Sequence, residues 1–523
     1  MVLSNLQRYL SFLALSVTLF VTVVPVAAIF SDYFNDAMQI KEIWALIFPT
    51  GRRLTLLLSS VNLALSSAVT CTVLSWFIGS FLWQHTRRYA ALASYAAALL
   101  WFVALLPPFI HSYTWMALFS IVNQGLGLCG VNEIRFSGMV ASWWTQTMAW
   151  MPLCLSAALL GFRCVDPDLV DAAQMSASPL KVLVSVITPV AIPALLSGGV
   201  LVFLMCLQDY SIPSLYQVST YALDIFSDYS AHYRPFRALL MSVPLILISV
   251  AALAGAIPFF RHVSTGAPRL GRVQTAPFLL PGWMRILQQG FLFLLLIQVL
   301  MPLLVLIKTV GSWERLGLSV MASVPEIIYS AQTALLSALL AVSAAVVVTG
   351  SFARIWSPLA IPLTAFALSV PATLTGIGLI GLCGNFNPLN SDMAPVAAVL
   401  ARFGPLALLI IMAQVSRLDQ NLFEAAKFYQ ASRWRVWTEI GLPLMLPGIV
   451  VAFMTVFLLA MGELSATLLV LPPGRNTLAV KTYNLLHYGA SDAVAGLCLF
   501  LVLTGWFIGT VATIVLIKRR EAP

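Results

Sequence analysis

Ionisable and nucleophilic side chains are sparse in this sequence, and their spacing limits the chemistry open to it. Cys71, Cys129, Cys154, Cys164, Cys206, Cys383 and Cys498 are scattered, with no C-x-x-C pair and no close histidine, so neither a metal cage nor a disulfide framework is expected. His111, His232 and His487 lie near Tyr113, Tyr233 and Tyr488, but without ligand spacing. No cluster of His, Cys and carboxylate suggests a catalytic centre. No G-x-x-x-x-G-K-[ST] run is present to cradle a nucleotide phosphate. The expectation is a non-catalytic chain with no cofactor and no metal. What does recur is a carboxylate followed by two alanines, Asp171-Ala172-Ala173 and Glu424-Ala425-Ala426. A lone carboxylate inside an apolar run recurs too, as Asp209 and Glu463.

The elements that hold these residues follow from composition. Of 523 residues 60% are hydrophobic and 9% charged, and mean hydropathy is +0.94. Ordinary soluble domains carry about 25% charged residues, so this chain cannot coat a water-facing surface. Soluble enzymes, nucleic-acid readers and disordered scaffolds are excluded. The net charge of +9 then calls for a topological explanation rather than a nucleic-acid partner.

Apolar runs long enough to cross a bilayer fall at 9–30, 54–83, 90–118, 138–160, 191–212, 236–260, 286–308, 326–350, 358–383, 394–414, 446–470 and 494–517. The first is longer than a signal-peptide core and lacks a small-residue cleavage site, so it reads as a retained span. Placing the amino terminus inside puts most Lys and Arg in cytoplasmic connections, Arg52-Arg53 being the one compact cluster left outside. Both termini are then cytoplasmic.

The stretch 261–285 is basic and rich in Gly and Pro, and it divides the spans six and six. Halves at 1–260 and 286–523 should therefore repeat. Asp166-Pro-Asp-Leu-Val-Asp-Ala-Ala173 aligns with Asp419-Gln-Asn-Leu-Phe-Glu-Ala-Ala426, 253 residues on. Ser178, Pro189 and Pro193 align with Ser432, Pro443 and Pro447, 254 residues on. Six spans lie between the copies, so both face one side and the repeat is parallel. The expected fold is an all-α integral membrane protein of about twelve helices in two parallel six-helix halves.

The repeated segments, 161–190 and 415–445, are the least membrane-like long connections. In the second, Leu422, Ala425, Ala426 and Tyr429 keep helical spacing, Ala431-Ser432 interrupts it, and Trp434, Trp437 and Ile440 resume it. The pattern is helix, turn, helix, with an apolar stripe open to a partner or to the membrane surface.

The stretch from Glu424 to Pro447 resembles the E-A-A signature of binding-protein-dependent ABC importer permeases. Glu424-Ala425-Ala426 and Ile440-x-Leu442-Pro443 stand at the family's spacing, with Gln430 in place of its Gly. Asp171 to Pro193 is a weaker copy, with Asp for Glu and one residue fewer before Ala177-Ser178. The resemblance implies that both loops form coupling helices that dock on ATP-binding subunits. One chain carrying both would serve a pair of ATPase subunits and receive substrate from an extracytoplasmic binding protein, in the inner membrane of a bacterium. The outer segments Tyr221 to Ser230, Gly462 to Thr467 and Leu478 to Gly489 resemble ferric-iron permeases. Thiamine, phosphonate and polyamine importers are the alternatives. The rival class is an ion-coupled secondary carrier, whose charged signature between spans two and three is absent from Gln84 to Tyr89.

Asp209 and Glu463 come late in the fifth span of each half. Lipid exposure of a charge is costly, so they face the pathway or a partner group, or they anchor at the outer interface. Arg402 is positioned to pair with one of them or to snorkel. Pro107, Pro108 and Pro371 fall in the third spans, with Gly376, Gly378, Gly381 and Gly384 after the last, as gate hinges or ordinary kinks.

Overall fold

A computed structural model describes residues 23–30, 38–86, 107–265, 278–352, 364, 366–385, 392–415, 418, 422, 425–426, 432–488 and 491–521. All regular structure among them is helical. In chain order the longer helices are α1 (Ile40–Ile47), α2 (Arg52–Thr86), α3 (Pro108–Leu128), α4 (Gly138–Arg163), α5 (Pro167–Gln174), α6 (Thr188–Gln208), α7 (Tyr221–His232) and α8 (Pro235–Thr265). They continue with α9 (Gly282–Val310), α10 (Trp313–Met321), α11 (Val324–Phe352), α12 (Ala372–Asn385), α13 (Met393–Val415), α14 (Leu442–Met461), α15 (Leu478–His487) and α16 (Ser491–Glu521).

Eight helices among the described residues are long and apolar enough to cross a membrane, or nine if α4 and α5, bent by 73°, count as one span. These account for nine of the twelve expected runs. The runs at 9–30, 90–118 and 358–383 lie partly outside the described residues. A bilayer core of about 30 Å needs about 20 helical residues, and α2 with 35 exceeds this. Several of its serines and threonines turn back on their own helix, as Ser60 does to the Leu56 carbonyl at 2.8 Å. That bond satisfies a hydroxyl where no water is available.

The chain packs as two compact units, each drawing on both sides of the basic stretch 261–285. One consists of Thr50–Asp224, Ala252–Val324 and Lys481–Pro523. Here α2, α4 and α6 pack on one another through small residues. A Cβ added to Gly198 would lie 2.7 Å from the Ala157 methyl and 3.2 Å from the Cys154 Cα. Only glycine allows that backbone approach, the usual device for joining helices in lipid. Two glutamines of α9 bind across helices: Gln288 donates to Ser80 Oγ at 2.9 Å, and Gln298 donates to the Met148 carbonyl.

The other unit consists of Met1–Pro49, Ile225–Ala251 and Pro325–Val480. An apolar cluster among its described residues joins α11, α13 and α14 through Ala338, Val399, Ile411, Met445 and Val456. Gly378 of α12 lies against the Pro25 carbonyl with no room for a Cβ.

The proline positions are more definite than the sequence indicates. Pro107 precedes α3 and Pro108 occupies its first turn, where a missing N–H costs nothing. Pro371 separates the helical residues 366–369 from α12. Both sites therefore start helices rather than bend their middles.

Candidate functional site

The repeat read from the sequence is carried into backbone detail. In the first copy α4 ends at Arg163, and Asp166 caps α5 by accepting from the Asp168 N–H at 3.0 Å, with Pro167 at the first helical position. Asp171, Ala172 and Ala173 lie on α5, followed by a turn over Met175 to Ser178. Ser178 then precedes a helical turn, Pro179–Val182, which runs through a π turn, Leu183–Ile187, into α6. In the second copy Ser432 precedes Arg433–Val436, a π turn spans Trp437–Gly441, and α14 begins at Leu442. Each boundary from Pro179 to Thr188 recurs 254 residues later, from Arg433 to Leu442.

The π turns were not legible beforehand, and each has a cause next to it. Pro189 and Pro443 sit in the first turn of α6 and α14. Their missing N–H and their ring, which would strike the carbonyl four residues back, favour a locally widened helix. In the first copy the Thr188 hydroxyl donates to the Leu183 carbonyl at 2.7 Å, and Trp76 Nε1 donates to Thr188 Oγ1 at 3.0 Å. In the second copy the equivalent of Thr188 is Leu442. Trp437 and Ile440, expected on a helical stripe, thus belong to the widened turn.

Burial divides the repeated loop into an inner and an outer face. Val170, Val182, Leu183 and Ile187 join a buried cluster with Trp83, Phe162 and Leu280. Leu169 and Met175 point outward, 48% and 89% exposed, and Ala172 is exposed beside them. In the second copy Leu422 is likewise 48% exposed, Ala425 is exposed and Ala426 is buried. Glu424 and Gln430 lie outside the described residues. The one-residue difference between the copies falls between Gln174 and Pro179, in the turn.

Asp209 and Glu463 lie just past the ends of α6 and α14 rather than within them. Both are almost fully buried, at 4% and 3% exposed. Asp209 Oδ1 accepts from the Ser211 N–H at 3.0 Å and from its hydroxyl at 2.6 Å, starting the short helix Ser211–Leu215. Glu463 Oε1 accepts from the Ala466 N–H at 2.8 Å, ahead of the short helix Thr467–Val470. Its other oxygen pairs with Arg402 Nη1. Each carboxylate therefore holds a break between a long helix, α6 or α14, and the short helix that follows it.

A pair of latches follows that sequence reading missed. Ser60 Oγ on α2 accepts from the Tyr221 N–H at 2.9 Å, and Ser330 Oγ on α11 accepts from the Leu478 N–H at 2.7 Å. Each binds the first residue of a following helix to an earlier long helix, α7 to α2 and α15 to α11. Thr220 and Thr477 cap the same helix starts, accepting from Leu223 and Val480 at 3.3 Å. Burial pushes the Tyr221 phenol up to about 12, against a smaller opposing pull from Arg53. His232 and Asp228 meet at 3.6 Å, and Asp228 is bound by Arg237 through two nitrogens. No group of three metal-binding side chains occurs among the described residues.

A multi-span helical chain with duplicated loops of this form is similar to the permease components of binding-protein-dependent ABC importers. Residues 350–517 match the family described as the binding-protein-dependent transport system inner membrane component. Among individual proteins, the chain is 25% identical over 418 residues to the Fe(3+)-transport system permease protein FbpB 2 of Haemophilus influenzae, covering 76% of this chain and 78% of that one. It is 34% identical over 110 residues to the molybdenum transport system permease protein ModB of Escherichia coli, covering 20% of this chain and 48% of that one. It is 27% identical over 137 residues to the putative 2-aminoethylphosphonate transport system permease protein PhnV of Salmonella paratyphi A, covering 26% and 51%. The chain thus spans about half the length of the last two.

Proposed function

We propose that this chain supplies both permease halves of one importer and that ferric iron is its cargo. Two ATP-binding subunits engage it at 161–190 and 415–445, and an extracytoplasmic binding protein delivers the substrate. The observation that carries this reading is the duplication. The carboxylate-Ala-Ala segment, the π turn and the proline after it occur twice at near-constant spacing, each with an exposed leucine, Leu169 or Leu422. A single amphipathic helix resting on lipid would need none of this order.

In this reading Asp171, Ala172, Ala173, Ser178 and Pro189 form the first coupling loop. Glu424, Ala425, Ala426, Gln430, Ser432 and Pro443 form the second. Closure of the ATPase pair pushes these loops, and the continuous helices through the π turns carry the push to Asp209 and Glu463. There the breaks between spans and outer helices rearrange, with the helix starts at Pro107 and Pro371 as further hinges. Both loops lie inside with the termini, while α7 and α15 lie outside.

Iron is favoured by the breadth of the likeness to the Haemophilus influenzae iron permease, which covers most of both chains. Molybdate is the second reading, because the higher identity, over a shorter stretch, is to a molybdenum permease. The test is reconstitution with the ATP-binding subunits and the binding protein, offering labelled ferric iron or labelled molybdate. ATP-dependent accumulation of iron alone supports the assignment, accumulation of molybdate alone replaces it, and ATP-independent uptake of either returns the chain to the secondary carriers.

A further inference from the structure

One turn of α4, Thr145 to Met148, is held by polar groups from four neighbouring segments, all within the unit that contains Thr50–Asp224 and Ala252–Val324. Thr145 Oγ1 lies 2.9 Å from Tyr216 OH, which donates to the Ser112 carbonyl of α3 at 3.3 Å. Gln146 Nε2 donates to the Cys206 carbonyl of α6 at 3.4 Å. Cys71 Sγ of α2 donates to the Thr147 carbonyl at 3.3 Å, and Gln298 Nε2 of α9 donates to the Met148 carbonyl. That last bond has a cause in the sequence. Pro152 lies inside α4 four residues on, and its missing N–H leaves the Met148 carbonyl open to another donor. A helical turn rises about 5.4 Å, so these bonds gather the segments at one level of the unit.

The bonds use one end of each glutamine and leave the other. Gln146 Oε1, Gln298 Oε1, Ser112 Oγ and both ring nitrogens of His111 are buried without a protein partner, where buried polar atoms ordinarily find one. All four residues are 0% exposed. Neither amide gains by exchanging its ends, because each nitrogen faces a carbonyl and a flip would set oxygen against oxygen. The open groups are therefore mostly acceptors: two amide oxygens, a hydroxyl, and an imidazole that offers one acceptor and one donor when uncharged. Positive charge is remote from them. α3 and α6 contain no Lys or Arg, and those of α4 and α9 stand toward helix ends, at Arg163, Arg285 and Lys308. The Asp209 carboxylate follows three residues after Cys206. Aligning Pro152 with Pro405 puts Ala398 and Val399 where α4 has Thr145 and Gln146, so the repeated scaffold does not require the polar pair.

We propose that His111, Ser112, Gln146 and Gln298 form a transient site for a hydrated metal cation passing through the chain. The proposal rests on the importer reading above and deepens its cargo to a cation. Water bound to a cation is a strong donor, and its protons meet the amide oxygens and the imidazole while the metal ion keeps its own shell. Direct ligation is not part of the site: no group of three His, Cys, Asp or Glu able to hold a metal occurs among the described residues. An oxyanion would need N–H donors or fixed cations, and it would meet acceptors and a carboxylate instead. Contact through the water shell suits passage, since a conducting site must bind weakly enough to release.

The test titrates the full chain with Mn2+, a soluble hydrated cation, in phosphatidylcholine nanodiscs, and reads bound ion by electron paramagnetic resonance and retained water protons by electron-nuclear double resonance. Gln146→Val, which copies the residue of the second half, and His111→Phe should each weaken Mn2+ binding about tenfold, and Gln146→Glu, which adds charge at constant shape, should strengthen it about tenfold. The bound ion should keep its water protons. Affinity unmoved by all three variants, or loss of the water protons, overturns the proposal, as does binding of labelled molybdate that Gln146→Glu weakens. If Gln146→Val does not fold, the gain expected of Gln146→Glu still decides. Uptake by the reconstituted importer separates the two readings. Import of molybdate alone overturns the iron cargo and with it the passage role, whereas iron uptake at the unaltered rate in Gln146→Val overturns the site and leaves the cargo standing.

Discussion

The ends of the two fifth spans make the same turn with different counter-groups. Asp209 and Glu463 each hold a following N–H, but Glu463 also pairs with Arg402, whereas Asp209 takes the Ser211 hydroxyl. Aligning Pro152 with Pro405 inside the fourth spans puts Ala149 where the second half has Arg402. One half therefore balances its buried carboxylate with a full charge and the other binds its carboxylate through a neutral hydroxyl. The same contrast recurs at the π turns, where Thr188 and Trp76 bind the first and Leu442 replaces the threonine in the second. A duplicated scaffold thus keeps its backbone geometry while the groups that hold it diverge, so the halves should respond unequally to the same push.

The strongest way to break this comparison is to remove the unequal partner. Arg402→Met leaves Glu463 buried without its cation, and breaking such a pair costs about 3 to 5 kcal/mol. The midpoint of thermal unfolding in mixed micelles should fall sharply. Adding Glu463→Gln to Arg402→Met should restore most of the loss, and no restoration would mean that Arg402 acts through packing on Phe403, over whose ring it lies at 5.3 Å.

A smaller effect belongs to the latches. Ser60→Ala or Ser330→Ala strands the N–H of Tyr221 or Leu478, a buried donor worth about 1 to 3 kcal/mol. Each should raise amide exchange at the start of its own latched helix, α7 or α15, and leave the other unchanged. Exchange rising equally at both helices would show that the latches do not act separately. Asp209→Asn keeps an oxygen to accept from Ser211 and loses only the charge, so about 1 kcal/mol is expected. Its unfolding midpoint should move less than that of Arg402→Met. The smallest change is Arg435→Ala. Its side chain binds Glu439 at 2.9 Å in full exposure, and its unfolding midpoint should not move measurably.

Much of this architecture was readable in advance because its causes are local in sequence. Apolar runs mark the spans, and the carboxylate-Ala-Ala pair marks the loops. The π turns were not readable, since proline near a helix start ordinarily signals nothing more than a first turn, and widening shows only in the hydrogen-bond pattern. The latches were hidden for a different reason. Serine in a span is common, and the partners of Ser60 and Ser330 lie 161 and 148 residues away. The pairing of Arg402 with Glu463 was legible as one of three choices, because the sequence offered two carboxylates as partners and snorkelling as the alternative.

In the proposed importer the two repeated loops take up the motion of the ATPase, and the second transmits more of it. The direct measurement is substrate-stimulated ATP hydrolysis and uptake in vesicles reconstituted with the ATP-binding subunits and the binding protein, comparing Asp171→Lys with Glu424→Lys. The second copy keeps the family's Glu and full spacing, and the first lacks one residue in its turn, about 100° of helix rotation. Glu424→Lys should abolish coupling and Asp171→Lys should only reduce it. Equal defects would contradict the asymmetry, and normal coupled transport in both variants would contradict the coupling role itself.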